Sequence, residues 1–169
     1  SEILRRILKI HRFKYIYFST LSIALFHLLT IFVLDARCIN SKPYKMAPLV
    51  INGTEDTPEV IFDPATGKFS ISGTSIPENA RKFYDQILEW LDGYLKEPAD
   101  DTSISFKLKY FNTASTKYLF DIMVMLKPII NTKNTLVYNW FFLDDDEDMF
   151  EAGQGFSKML RYPFNFVKY

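Results

Sequence analysis

Residues 46–169 of this chain contain neither cysteine nor histidine; the single cysteine, Cys38, and both histidines, His11 and His27, come earlier. A lone cysteine cannot close an intramolecular disulfide, and no cysteine-based zinc site can be assembled. Histidine is the commonest general base near neutral pH and cysteine the most nucleophilic side chain. Ser-His, Cys-His and His-metal chemistries are therefore excluded from residues 46–169. Only carboxylate, lysine or tyrosine chemistry survives there. Glycine and proline are not in excess, at 6 and 8 residues, and no internal repeat is visible. What is plentiful is aromatic: 16 Phe and 10 Tyr, enough for one well-filled core and for contact surfaces as well.

The net charge of zero hides two unlike segments. Residues 1–45 hold eight Lys/Arg and two acids, whereas residues 46–169 hold twelve Lys/Arg and eighteen acids. An acidic domain without a basic patch argues against nucleic acid as a partner, because phosphate contacts need clustered Lys/Arg. The basic segment includes an uncharged, Leu/Ile/Phe-rich run from Ile16 to Leu34 behind Arg5, Arg6, Lys9, Arg12 and Lys14. Its length and flanks fit a transmembrane helix. An equally weighted reading makes Met46 the true start and residues 1–45 an untranslated leader in the native gene. The domain at 46–169 needs no oxidising compartment and is expected in the cytoplasm, reaching a membrane only if 16–34 is retained.

Within that domain the periods alternate. Glu59–Asp63 and Lys68–Gly73 flank Pro64-Ala65-Thr66-Gly67, which is turn chemistry for a hairpin. Ser75-Ile76-Pro77-Glu78-Asn79 opens a helix to about Lys96, with Phe83, Ile87, Trp90, Leu91 and Leu95 on its apolar side. Ile104, Phe106, Leu108 and Tyr110 alternate with polar neighbours as a strand. After Asn112 the period lengthens to that of a helix, until Pro128. Thr135–Phe142 is β-rich, a third helix spans Asp146–Leu160, and Pro163–Phe166 is extended. The order β-β-α-β-α-β-α predicts an α/β fold: a mixed β-sheet with three main helices packed on it.

The strand-to-helix junction Asn112-Thr113-Ala114-Ser115-Thr116-Lys117 is the place to look for function. A helix N-terminus presents unpaired backbone N–H groups and the positive end of the macrodipole, so an anion there is stabilised. A phosphate on Thr113, Ser115 or Thr116 would lie in that field, with Asn112 and Lys117 bounding the switch loop. The plainer alternative makes Thr113 or Ser115 an ordinary N-cap and Asn112 a turn residue, since these are the preferred types there. The run Asp144-Asp145-Asp146-Glu147-Asp148 invites comparison with hard-cation sites, and a Mg²⁺-dependent enzyme using Asp145, Asp146 or Asp148 is the rival reading. Its spacing departs from the Ca²⁺-loop pattern, and acids are favoured at a helix start without any ligand, so no metal or other cofactor is expected. A face that includes Asp144, Asp145 and Asp146 could meet a basic partner. Tyr110, Phe111, Trp140, Phe141 and Phe142 crowd two strand ends and are candidate docking aromatics, each weighed against a place in the core.

Five stretches in order, TPEVIFDPATGKFSISG, SIPENA, KLKYFNTASTK, WFFLDDDEDMFEAGQGF and YPFNF, span Thr57 to Phe164. Together they resemble the SiaC family of bacterial regulatory phosphoproteins. The resemblance implies a fold similar to anti-sigma-factor antagonists and a non-enzymatic, partner-switching role in cyclic-di-GMP and biofilm signalling. In the family a histidine-kinase-like Ser/Thr kinase phosphorylates the Thr of an Asn-Thr-Ser-Ser-like motif, and a PP2C-type phosphatase reverses it. The unphosphorylated protein binds and activates a diguanylate cyclase. The motif falls on Asn112 and Thr113. Ala114 replaces a serine common in relatives, leaving Ser115 and Thr116 as the neighbouring hydroxyls. A membrane-anchored adaptor dependent on residues 16–34 is the third reading.

Overall fold

The computed structural model describes residues 46–169. The expectations for residues 1–45 lie outside these residues. Six strands form one sheet in sequential order: β1 (Leu49–Ile51), β2 (Glu59–Asp63), β3 (Lys68–Ser75), β4 (Asp101–Phe111), β5 (Thr135–Phe142) and β6 (Asn165–Lys168). Strands β1, β2 and β3 meander antiparallel, and β3 to β6 run parallel. Helices α1 (Ala80–Tyr94), α2 (Thr113–Leu126) and α3 (Glu147–Leu160) make the three crossovers, α2 continuing into a 3₁₀ turn at Lys127–Asn131. This is the expected mixed sheet with three helices, extended by two short edge strands, β1 and β6.

The hairpin forms where its turn chemistry is concentrated. Asp63 accepts from the Ala65 amide at 3.0 Å and the Thr66 hydroxyl at 2.7 Å, and Gly67 takes the positive φ of 64° that closes the turn. A side chain on Gly67 would also run into the Asp101 carbonyl, so the β3–β4 contact needs a glycine there.

Because β3 to β6 are consecutive neighbours, right-handed crossovers lay all three helices on one face. Burial follows. Val60, Phe62, Phe69, Ile71, Ile104, Phe106, Leu108, Leu136, Tyr138 and Trp140 point to the helices and are buried. The opposite face carries Ser70, Ser72, Ser105, Lys107 and Asn139. On α1 the buried side chains are Tyr84, Ile87, Leu91 and Tyr94, so the core-facing stripe includes two tyrosines, while Phe83 and Trp90 lie at its margin. Trp90 still closes on Phe62 and Phe69, each at 5.5 Å between ring centroids.

Helix α3 is seated on Trp140. The fully buried indole donates its Nε1–H to the Met149 carbonyl at 2.9 Å, satisfying its polar atom inside the core. Gly153, one turn further on, lets the helix approach: a Cβ there would lie 2.5 Å from Trp140 Cδ1. Gly155, two residues away, has nothing within 4 Å of such a Cβ. The two glycines therefore predict opposite outcomes. Gly155→Ala should raise stability by roughly 0.5–1 kcal/mol through helix propensity. Gly153→Ala gains the same propensity but is overpacked by about 1–3 kcal/mol or more, so its net effect is loss. Urea melts of both variants test this; a Gly153→Ala protein as stable as the wild type would refute the close seating.

Candidate functional site

All parallel strands end at one edge, where the three helices begin, and ligands of open α/β sheets gather at such edges. The junction from Asn112 to Lys117 lies there. Asn112 leaves β4 extended (φ −88°, ψ 172°) and is the N-cap of α2: its Oδ1 accepts the Ser115 amide at 2.9 Å. Its own amide donates to the Ser75 carbonyl at the end of β3, 3.1 Å away. The cap is thus held from both sides, by α2 and by the sheet.

The three hydroxyls of the first turn are not equivalent. Ser115 is fully buried, and its Oγ donates to the Ser75 carbonyl at 2.9 Å. Ser75 Oγ in turn donates to Ser115 Oγ at 2.9 Å and lies 2.6 Å from the Tyr84 hydroxyl. A serine has one hydroxyl proton, so the Tyr84 hydroxyl must be the donor in that last contact. The result is a directed chain, Tyr84 to Ser75 to Ser115 to the Ser75 carbonyl, linking α1, β3 and α2. Thr116 is half-buried and donates back to the Asn112 carbonyl at 3.1 Å. Thr113, at the first helical position, is exposed, and its hydroxyl makes no hydrogen bond among the described residues. No acid occupies the first turn of α2.

Lys117 stands one turn beyond Thr113. Its ammonium pairs with Asp121 at 2.7 Å and lies 5.0 Å over the Tyr118 ring. The hydrogen bond and charge of Asp121 hold the Lys117 pKa above its ordinary value. Tyr118 stacks on Tyr84 with centroids 5.0 Å apart and planes within 2°, so the ring beside Lys117 rests on the tyrosine that starts the buried hydroxyl chain.

A register slip decides the neighbouring aromatics. Gly73 faces Leu108 but Thr74 faces Tyr110, leaving Lys109 without a partner on β3; Gly73 absorbs the irregularity at φ 98°. Simple alternation places Tyr110 with Ile104, Phe106 and Leu108. The slip reverses it: Tyr110 turns outward and is 59% exposed, while Phe111 turns inward to Trp140 and Phe156, at 6.2 and 6.0 Å. A bulge commonly re-aims a side chain in this way. Trp140 is wholly core and Phe142 packs on Phe150 at 4.8 Å.

The acid run divides as well. Asp146 is the N-cap of α3, its Oδ1 accepting the Met149 amide at 2.9 Å, and Glu147 and Asp148 occupy the first turn. Asp144 pairs with Lys168, and Asp145 is exposed. Among the described residues no three Asp or Glu side chains converge as metal ligands would, and none of their helices is long and apolar enough to cross a membrane. The residues not anticipated were Ser75, Tyr84 and Tyr118. The spacing Tyr84, Ile87, Leu91, Tyr94 was the visible signal for Tyr84, and the helical period of Tyr118, Leu119, Ile122 and Met123 the signal for Tyr118.

The buried hydroxyls have a pH consequence. Burial pushes the Tyr84 hydroxyl above its usual pKa against the opposing pull of Ser75 and Ser115. Burial likewise raises Tyr94, opposed by Thr102 and Ala99, and Tyr138. Unfolded tyrosines ionise near pH 10, so above that pH unfolding releases protons and stability falls until the folded hydroxyls ionise too. Below it the contribution is complete. Each tyrosine adds at most about 1.4 kcal/mol per pH unit to the slope. Stability measured from pH 9 to 12 should fall with a steepness that Tyr84→Phe reduces by one tyrosine's share; an unchanged slope would contradict the buried hydroxyl chain.

Known proteins are similar to this chain in fold and sequence. Apo-SiaC from Pseudomonas aeruginosa superposes with a TM-score of 0.63 at 27% identity, over 73% of this chain and 98% of that one. The crystal structure of the diguanylate cyclase SiaD in complex with its activator SiaC, from the same organism, contains a chain matching at TM-score 0.66 and 26% identity, over 72% of this chain and 99% of that one. An uncharacterised protein of P. aeruginosa strain UCBPP-PA14 is 28% identical over 119 residues, which cover 70% of this chain and 94% of its own length. The model of the SiaC family regulatory phosphoproteins matches residues 51–169, which contain the whole junction, and the chain belongs to that family.

Proposed function

We propose that this protein is a phosphorylation-controlled partner switch with Thr113 as its switch residue. A histidine-kinase-like Ser/Thr kinase transfers the γ-phosphoryl group of ATP to Thr113 Oγ1. The O–P bond to Thr113 forms as the bond to ADP breaks, and the hydroxyl proton passes to a base on the kinase. A PP2C-type phosphatase returns the threonine by hydrolysis, releasing inorganic phosphate. The unphosphorylated form binds and activates a diguanylate cyclase and so raises cyclic-di-GMP. Dependence on ATP sets the domain in the cytoplasm. No catalytic role is assigned to the chain itself.

The observation that carries this reading is the inequality of the three hydroxyls. Ser115 is buried and committed and Thr116 is committed to Asn112, whereas Thr113 is exposed and uncommitted. A kinase can reach Thr113 without unfolding the turn. Phosphate there would also supply the negative charge that the first turn of α2 lacks, a favourable placement worth about 0.3–1 kcal/mol. The SiaC–SiaD complex of the relative supports a cyclase as the activated partner.

Incubation with the cognate kinase and ATP should place phosphate on Thr113 by mass spectrometry, and Thr113→Ala should abolish labelling while Thr116→Ala retains it. Thr113→Asp should weaken cyclase binding at least tenfold in a direct titration. Phosphate found on another residue, or full affinity with Thr113→Asp, would reject the switch. Separately, Asn112→Ala should cost about 1 kcal/mol of stability through the lost cap, measured by thermal melt.

A further inference from the structure

Residues four apart on a helix are surface neighbours, and three such residues stand in line on α2: Thr113, Lys117 and Asp121. In the unphosphorylated protein Lys117 reaches forward to Asp121, with Nζ to Oδ2 at 2.7 Å. That is the weaker order for an ion pair on a helix, since an acid four residues before a lysine pairs better than one four residues after it. Cα–Cβ bonds tilt toward the helix N-terminus, so a long side chain at 117 leans by default toward 113 rather than toward 121. Thr113 carries no charge, and Asp121 is the acid that Lys117 contacts.

Phosphate on Thr113 reverses this balance. It brings nearly two negative charges and three acceptor oxygens to the position four residues before Lys117, in the favoured order and in the field of the helix N-terminus. Resting on the Thr113 reading, we infer that Lys117 is the residue that reads the phosphate: on phosphorylation its ammonium leaves Asp121 for the phosphothreonine. The exchange neutralises part of the phosphate and at the same time uncovers Asp121. Asp85 of α1, whose charge also acts on Lys117, is paired with Arg81 at 3.3 Å. One modification thereby changes the charge pattern over two turns of α2, from a closed Lys117–Asp121 pair to an added anion at 113 and an open carboxylate at 121. The buried hydroxyl chain beneath Tyr118 is untouched, so the surface is altered while the turn that presents it stays in place.

Lys117 and Asp121 are exposed or at the surface and outside the core, so their variants should fold. The test uses the full chain with phosphothreonine incorporated at position 113 by genetic-code expansion, which separates this inference from the question of which residue the kinase selects. The second phosphate pKa is followed by ³¹P NMR. Lys117→Met should raise it by roughly half a unit. Asp121→Asn should lower it, and should do so by more in the chain that keeps Lys117 than in the Lys117→Met chain, because only there does Asp121 compete with the phosphate dianion for an ammonium. A phosphate pKa indifferent to Lys117→Met, or an Asp121→Asn effect equal in both backgrounds, would overturn the exchange even if the kinase proves to phosphorylate Thr113.

Discussion

A chain of buried hydroxyls, Tyr84 to Ser75 to Ser115 and back to the Ser75 carbonyl, is the interaction on which the geometry of the junction depends. It ties three elements that local chain chemistry alone would not bring together: the end of β3, the second turn of α1 and the first turn of α2. The two serine hydroxyls each donate and accept, and no buried side-chain polar atom among the described residues lacks a partner. Loss of one member would strand the next, and a stranded buried polar group costs about 1–3 kcal/mol. Such a network is therefore stiff, and it consumes Ser115 in being so. The consequence is selectivity by subtraction: of three hydroxyls in the stretch, Thr113 alone is both exposed and uncommitted among the described residues.

The helix starts at this edge are electrically distinct. The N-terminus of α3 is balanced by its own Glu147 and Asp148, next to the Asp146 cap. The N-terminus of α2 has a neutral cap and no acid in its first turn. Among the three helix starts, negative charge is gathered at α3, while the first turns of α1 and α2 carry none. Acid at one helix start reads as structural compensation, whereas its omission at the other leaves a position where added charge is welcome.

Much of this was legible in the residues. The hairpin, the three helices and the two central strands follow from turn chemistry and period, because local propensity and burial agree there. The two edge strands were not. Leu49–Ile51 is too short to show a period, and Asn165–Lys168 continues the Pro163–Phe166 piece only because β5 stands beside it. Tyr110 was misplaced by alternation, since the slip at Gly73 is decided by the β3–β4 pairing and not by either strand alone. At the site, Thr113 as a hydroxyl at a helix start could be read directly, whereas the cap proves to be Asn112, expected as a turn residue, rather than Thr113 or Ser115. The separation of Thr113 from Ser115 and Thr116 by burial could not, as it depends on Tyr84 and Ser75, about 30 and 40 residues away in sequence.

The same contrast bears on how a phosphate could act. The fold beneath the junction is held by core contacts that a surface charge does not enter: Phe111 against Trp140 and Phe156, the Trp140 indole on the Met149 carbonyl, Tyr84 stacked on Tyr118. Gains at an exposed helix N-terminus are about 1 kcal/mol or less, too small to remodel a packed sheet and three helices. Across a protein interface, however, like charges brought together cost several kcal/mol. A charge added at Thr113 is thus too weak to change what the domain is and strong enough to change what docks on it. For a domain with neither histidine nor cysteine, a phosphate on Thr113 would supply, by covalent chemistry performed elsewhere, the negative charge that the first turn of α2 lacks.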